Sequence, residues 1–176
     1  IGEDDIVVLF MGRLSYHAQA HPLPMYLGLE NAARESKRKL HLIQAGWFAN
    51  DSIEKAFSES ARTICPSVNA IFLDGRDAHV RESIWYAADI FTSLSDNIQE
   101  TFGLTPLEAM ATGLPVVVTD WNGYRDTIVD GETGIAIPTV SLPPGLGGDI
   151  AFRHSAGLDS YDRYLGHASL CTSVDA

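Results

Sequence analysis

Two glutamates, Glu100 and Glu108, bracket the turn Phe102-Gly103-Leu104 and the segment Thr105-Pro106-Leu107. Thr105 as N-cap, Pro106 at the first helical position and Glu108 three residues after the cap are three agreeing signals for a helix start. Gly113 supplies the stop. A helix that opens at Thr105 aims unbonded N–H groups and the positive end of its dipole at what precedes it, which is a place for phosphate. Gly103 has no side chain to keep an anion from the backbone, so two carboxylates flank a phosphate cradle. Each acid also has a plainer reading, Glu108 as a capping-box residue and Glu100 as a solvated loop acid. Loop acid, small turn, capped helix, glycine stop and buried strand nevertheless fall in the order that one site needs.

A second charged feature lies near the start of the chain. The apolar run from Asp5 to Gly12 reads as an interior parallel strand, and Arg13 follows it directly. An arginine just past the carboxyl end of such a strand is placed to enter a ligand crevice, and its planar fork suits a diphosphate. The alternative is a surface arginine paired with a neighbouring acid. Gly75 and Arg76 follow the third strand much as Gly12 and Arg13 follow the first.

The elements that must hold these residues are strands near 5–11, 39–45, 68–73, 89–94, 115–119 and 134–137, separated by helices that include 24–37, 51–61 and 80–88. This alternation predicts an α/β fold with a doubly wound, Rossmann-like parallel sheet and right-handed crossovers. Ligands of such sheets sit at the carboxyl strand ends, where Arg13, Gly75, Glu100 and Gly103 all fall. Beyond Ile137, Pro138, Pro143, Pro144 and the glycines to Gly148 predict an irregular loop, followed by one amphipathic helix over 159–167 and residues 168–176 that begin an unfinished element.

The pattern Glu100-x7-Glu108, with Phe102-Gly103-Leu104 inside it and Ala111-x-Gly113-x-Pro115-Val116-Val117 after it, resembles the nucleotide-sugar site of family-4 retaining glycosyltransferases of the GT-B fold. Gly12-Arg13-Leu14 matches that family's Gly-Arg-Leu motif. The resemblance covers about Val7 to Ile137 and implies one domain over 1–176, the C-terminal, donor-binding half of a two-domain transferase whose N-terminal acceptor half is absent. It implies that Arg13 binds donor phosphate and that Glu100 contacts the donor sugar, these two being the catalytic pair. Glu108 is then assigned to the ribose hydroxyls, the turn at Gly75 and Arg76 to the base through its backbone, and Gly12, Phe102, Gly103, Leu104 and Thr105 to the remaining donor contacts. It implies no cofactor and no metal, with a nucleoside diphosphate sugar as the donor substrate. The alternatives are a non-catalytic nucleotide-sugar-binding module and a GT-B sugar-nucleotide epimerase.

The chain departs from the family in two places. The lysine that usually follows the arginine is missing from Ser15-Tyr16-His17-Ala18-Gln19-Ala20-His21, where Gln19, His17 or His21 are the candidates to replace it, and Asp126 stands where glutamate is expected. His17 and His21 are four apart, but Pro22 and Pro24 put them before a helix and no third metal ligand is evident.

Composition excludes other classes. With 176 residues, 45% hydrophobic, 20% charged and a formal charge of −11, the chain is an ordinary globular domain that repels nucleic acid and anionic membranes. No apolar run approaches the ~20 residues of a membrane span, and with no charged n-region followed by an apolar h-region no signal peptide is expected. The basic cluster from Arg34 to Lys39 is expected to complement a helix C-terminus. Cys65 and Cys171 have no zinc spacing, which fits a reduced, cytoplasmic chain, and the sequon at Asn50-Asp51-Ser52 is expected to be accidental.

Overall fold

The computed structural model describes residues 1–97, 100–141, 143, 145, 147–169 and 172–174. Its strands β1 (Ile6–Met11), β2 (Leu40–Gly46), β3 (Val68–Asp74), β4 (Ile90–Ser93), β5 (Val116–Thr119) and β6 (Gly134–Ile137) form one parallel sheet in the order β3-β2-β1-β4-β5-β6. That is the doubly wound order, with the strand sequence reversing between β1 and β4. The strands are apolar without alternation because both faces are covered; β2 is buried along its whole length.

Helices α1 (Pro22–Ser36), α2 (Asp51–Ile64), α3 (Ala78–Ser83) and α4 (Leu104–Ala111) lie between the strands. One face of the sheet presents Val8, Phe10 and Leu42 to Met25 and Tyr26 of α1 and Phe57 of α2. The other presents Leu9, Ile43, Val116 and Val118 to Ile84, Trp85 and Ala109. Glu30, in α1, ties the first layer together by accepting from the Ser67 N–H at 2.9 Å, the Ser67 hydroxyl at 2.9 Å and Arg34 Nε at 2.7 Å. The basic cluster is likewise spent locally, with Arg38 Nε donating to the Asp4 carbonyl at 3.1 Å and Lys39 Nζ 4.0 Å from Asp5.

The helix starts show what local sequence decided. Asn50 of the sequon accepts the Ile53 N–H at 3.1 Å and caps α2. His21 Nδ1 accepts the Leu23 N–H at 3.2 Å and caps α1, which occupies one of its two ring nitrogens. At the far end of α4 the Gly113 N–H reaches the Met110 carbonyl at 3.0 Å and the Leu114 N–H the Ala109 carbonyl at 3.0 Å, with Gly113 at φ 85°. This double closure is a Schellman motif, so the expected glycine stop is present.

Three expectations need correction. The N-cap of α4 is Gly103 at φ 77°, ψ 84°, with no side-chain cap, and Thr105 and Pro106 are the second and third helical residues. Proline is tolerated there because a first-turn N–H has no intrahelical partner to lose. Glu108 is consequently exposed one turn into the helix and is no capping-box partner. Between β5 and β6, where the alternation of strands and helices predicts a helix, the chain makes the 3-10 turn Asn122–Asp126.

The stretch after Ile137 is more ordered than its prolines and glycines suggest. Strand β7 (Thr139–Ser141) pairs antiparallel with β8 (Thr172–Val174), and α5 (Gly148–Ser155) and α6 (Tyr161–Ser169) lie between them. Asp159 binds the two helices, accepting from Arg153 Nε at 2.7 Å and lying 3.4 Å from Arg163 Nε. Pro144 and Cys171 lie outside the described residues. Among the described residues no helix is long and apolar enough to cross a membrane.

Candidate functional site

Three segments meet at the carboxyl edge of the sheet: 12–21 after β1, 94–97 with 100–103 after β4, and 120–126 after β5. Their backbones need close approach at the strand ends. A Cβ on Gly46 would collide with the Gly12 carbonyl, and a Cβ on Gly12 would sit 2.5 Å from Gln19 Oε1. The Gly12 N–H bonds the Ala45 carbonyl at 3.0 Å and the Gly75 N–H the Gly46 carbonyl at 2.9 Å, so glycines close the ends of β1, β2 and β3 side by side.

Side chains then lock the loops to one another. The Gln19 carbonyl accepts from the Ser95 hydroxyl at 3.0 Å and from Asn97 Nδ2 at 2.9 Å. Thr119, the last residue of β5, donates its hydroxyl to the Ser95 carbonyl at 2.8 Å, and Trp121 Nε1 donates to the Asn97 carbonyl at 3.1 Å. Buried Asp96 accepts the His21 N–H at 3.3 Å, and burial pushes its carboxyl up to about 6. Gln19 and His21 were singled out from the sequence as substitutes for the missing lysine, not as braces, and Ser95, Asp96, Asn97, Thr119 and Trp121 were not singled out at all. A run of Ser, Asp and Asn directly after a buried strand is the signal that could have found them.

Arg13 is exposed at the mouth of this frame. Its N–H donates to Gln19 Oε1 at 2.9 Å and its Nη2 to the Ala18 carbonyl at 3.3 Å. Gln19 is therefore a brace for the arginine loop, and its carbonyl oxygen is committed there. Among the described residues no group of three or more His, Cys, Asp or Glu is placed to hold a metal.

Glu100 faces Arg13 from the loop after β4. Burial raises its carboxyl above the ordinary glutamate value, opposed in turn by the Tyr124 hydroxyl, the Phe102 and Gly103 N–H groups and the charge of Arg13. The Tyr124 hydroxyl lies 3.4 Å from Glu100 Oε2 and 2.8 Å from Ser93 Oγ. The Tyr124 ring, fully buried, packs beneath Gly103, where any Cβ would strike it. Tyr124 thus positions both the acid and the turn, and the sequence reading passed over it. The Phe102 and Gly103 N–H groups, expected to face a phosphate, instead hold Glu100. The first turn of α4 beyond them, at Leu104 and Thr105, is the part of the helix start left uncapped by side chains.

The structure therefore brings together Gly12, Arg13, Glu100, Phe102, Gly103, Leu104 and Thr105, with Glu108 exposed on the next turn of α4. Gly75 and Arg76 lie at the end of β3, with β2 between them and β1. Arg76 folds onto Asp74 through Nε at 2.9 Å and Nη2 at 2.8 Å, while its N–H donates to the same carboxylate at 3.0 Å. Both N–H groups of that turn are consequently engaged within the protein. A cationic guanidinium and an uncapped helix start beside a half-buried carboxylate can stabilise an anion and accept a hydrogen bond from a hydroxyl next to it.

Comparison with known proteins adds three findings. Residues 1–142 match the family model described as glycosyl transferases group 1. The chain is 31% identical over 132 residues to a D-inositol 3-phosphate glycosyltransferase of Corynebacterium diphtheriae, covering 74% of this chain and 30% of that protein. It is 42% identical over 77 residues to the lipopolysaccharide core biosynthesis mannosyltransferase LpsB of Rhizobium meliloti, covering 42% of this chain and 21% of LpsB. Among solved structures, Anabaena HepE in complex with UDP and glucose superposes with a TM-score of 0.56 at 20% identity, over 95% of this chain and 42% of HepE. The fold is shared with that protein, and the chain spans under half the length of each of these relatives.

Proposed function

Because the chain belongs to the group 1 glycosyl transferase family, we propose that it is the nucleotide-sugar-binding, C-terminal half of a two-domain retaining glycosyltransferase. The observation that carries this reading is the convergence of Arg13, Glu100 and the uncapped start of α4 at one edge of the sheet. Arg13 and the Leu104 and Thr105 N–H groups take the two phosphates of the donor, and Gly12 lets the diphosphate approach the backbone. Glu100 accepts a hydroxyl of the donor sugar, and Phe102 lies over the same turn. Glu108 accepts the ribose hydroxyls. The base meets the Gly75-Arg76 turn through its carbonyl oxygens, since the two N–H groups are engaged.

In transfer, the bond between the sugar and the donor phosphate breaks and negative charge grows on the leaving diphosphate. Arg13 and the helix N–H groups are aimed at that charge before it develops, which is the electrostatic contribution a preorganised site makes. This reading needs no cofactor and no metal, and it gives the acceptor to an N-terminal domain of the same protein. It also puts the protein in the cytoplasm, in keeping with the buried free thiol of Cys65. Calorimetric titration with UDP-, GDP- and ADP-sugars tests it. One nucleotide sugar is expected to bind with the chain alone transferring nothing; failure of every donor to bind overturns the reading.

A further inference from the structure

The two edges of the sheet are finished differently. At β6 the chain doubles back, so that Asp130 Oδ1 accepts the outward Ala136 N–H at 2.9 Å and the Gly131 N–H donates to the Gly134 carbonyl at 2.9 Å. At β3 the edge is open. The Gly75 N–H bonds the Gly46 carbonyl, which sets the odd-numbered residues of the strand toward β2 and turns the N–H and C=O groups of Ala70 and Phe72 outward. Among the described residues no hydrogen bond reaches either of them. The strand also lacks the devices that keep an edge from pairing: Val68–Asp74 holds no lysine and no proline, and its unbroken register with β2 leaves no bulge. Beside it runs a groove of about 400 Å³ whose walls include Ala61, Cys65, Val68, Ala70 and Phe72. Arg62 at its rim is exposed and has no ion-pair partner among the described residues.

This edge is complementary to itself. A two-fold axis at Ile71 sets Ala70 of one copy opposite Phe72 of the other, so the outward-facing residues exchange N–H···O=C bonds and a small side chain meets a large one on the α2 face. The short turn after α2 makes the helix run antiparallel to β3, and Ser58 at mid-helix borders the groove. The same axis therefore lays the two α2 helices side by side in opposite directions. Arg62, in the last turn of one, then faces the acidic first turn of the other, which carries Asp51 and Glu54. We propose that β3 of one copy pairs antiparallel with β3 of a second copy and joins the two sheets into one. The carboxyl edges of the two sheets then point in opposite directions, which leaves each donor site open.

Sedimentation equilibrium of the whole chain over a dilution series tests this, at physiological salt because the formal charge of −11 on each copy must be screened. The mass is expected to rise with concentration from that of one chain to that of two. Ala70→Pro removes an N–H that β2 does not use, so it should abolish the dimer while the circular dichroism and thermal midpoint of the dilute chain stay near those of the parent. Should that variant not fold, the exposed change Arg62→Glu carries the test. It should weaken dimerisation at least tenfold, and adding Glu54→Arg to it should restore most of the loss. A mass of one chain at every concentration, a folded Ala70→Pro that dimerises as the parent does, or an Arg62→Glu of unchanged dimer affinity overturns the pairing.

Discussion

Two strands of this sheet end in the same dipeptide, and the two arginines meet different fates. Met11-Gly12-Arg13 leaves β1 with a guanidinium that reaches only the Ala18 carbonyl among the described residues, while Asp74-Gly75-Arg76 leaves β3 with one clamped by its own neighbour. The residue before the glycine decides the difference. Met11 is buried and apolar, so Arg13 has no counterion of its own and faces Glu100 across the cleft. Asp74 neutralises Arg76 in place. A Gly-Arg pair at a strand end is therefore free to meet an anion only when the strand does not deliver its own acid.

The comparison breaks most visibly at Arg13. Arg13→Ala is expected to weaken nucleoside diphosphate binding by about 1.5–3 kcal/mol, the scale of hydrogen bonds to charged groups. Nucleoside binding should hardly change, because the lost partner is phosphate. Calorimetry on both ligands checks it, and equal losses would remove Arg13 from the phosphate site.

Glu108 sharpens the same contrast within α4. Since Gly103 is the N-cap and Glu108 is exposed, Glu108→Gln should leave the thermal midpoint of the free chain unchanged. As a ribose ligand it accepts two hydroxyls, and the amide turns one acceptor into a donor, so ribonucleotide affinity should fall by on the order of 1–2 kcal/mol. A 2′,3′-dideoxy nucleotide should bind parent and variant alike. If the variant discriminates ribose as the parent does, Glu108 is a surface acid.

The fold was legible because the parallel strands are largely apolar runs and the starts of α1, α2 and α3 carry their own side-chain caps. The site was legible only in part. Thr105-Pro106 looks like a helix start because it satisfies the local rules, yet the chain begins the helix earlier, at a glycine that reaches φ 77° and sits over the Tyr124 ring. That choice depends on a residue far along the chain. The same holds for Ser95, Asn97, Thr119 and Trp121, whose bonds join three loops and leave no periodic trace. The β7 to β8 excursion was hidden by prolines and glycines, since two short strands paired across thirty residues have no local signature.

The carboxylates behind the two arginine loops differ as much as the arginines do. Asp96, against the loop after β1, is raised to about 6, whereas Asp74 is lowered to about 2 by its hydrogen bonds from Arg76. A raised acid means that the folded chain binds the proton more tightly than the unfolded one. The cost of its charge is therefore absent below about pH 3.8, grows as pH rises to about 6, and stays constant above. Asp96→Asn should stabilise the chain at pH 7.5 by on the order of 1–2 kcal/mol and leave it unchanged near pH 3.5. Urea unfolding at the two pH values decides this, and a gain that does not depend on pH would place the effect elsewhere than in the charge.

The smallest effect is expected at Arg76, and it is the most exacting test of the comparison. A lowered acid has the opposite sign: the Asp74 ion pair is intact above the unfolded value of 3.8 and is lost only as pH falls through about 2. No pH at which a nucleotide is ordinarily titrated will open it, so substitution must. Both groups are half-exposed or more, where an ion pair contributes little to stability, and neither Arg76→Ala nor Asp74→Asn should move the thermal midpoint measurably. Arg76→Ala should also change nucleoside diphosphate affinity less than twofold, because the guanidinium it removes was already spent. Asp74→Asn removes the counterion and leaves Arg76 as free as Arg13, so phosphate-bearing ligands should bind slightly more tightly at low salt and identically at high salt. Should Arg76→Ala lose as much affinity as Arg13→Ala, then Arg76 abandons Asp74 when the nucleotide arrives, and the residue before the glycine does not decide what the arginine does.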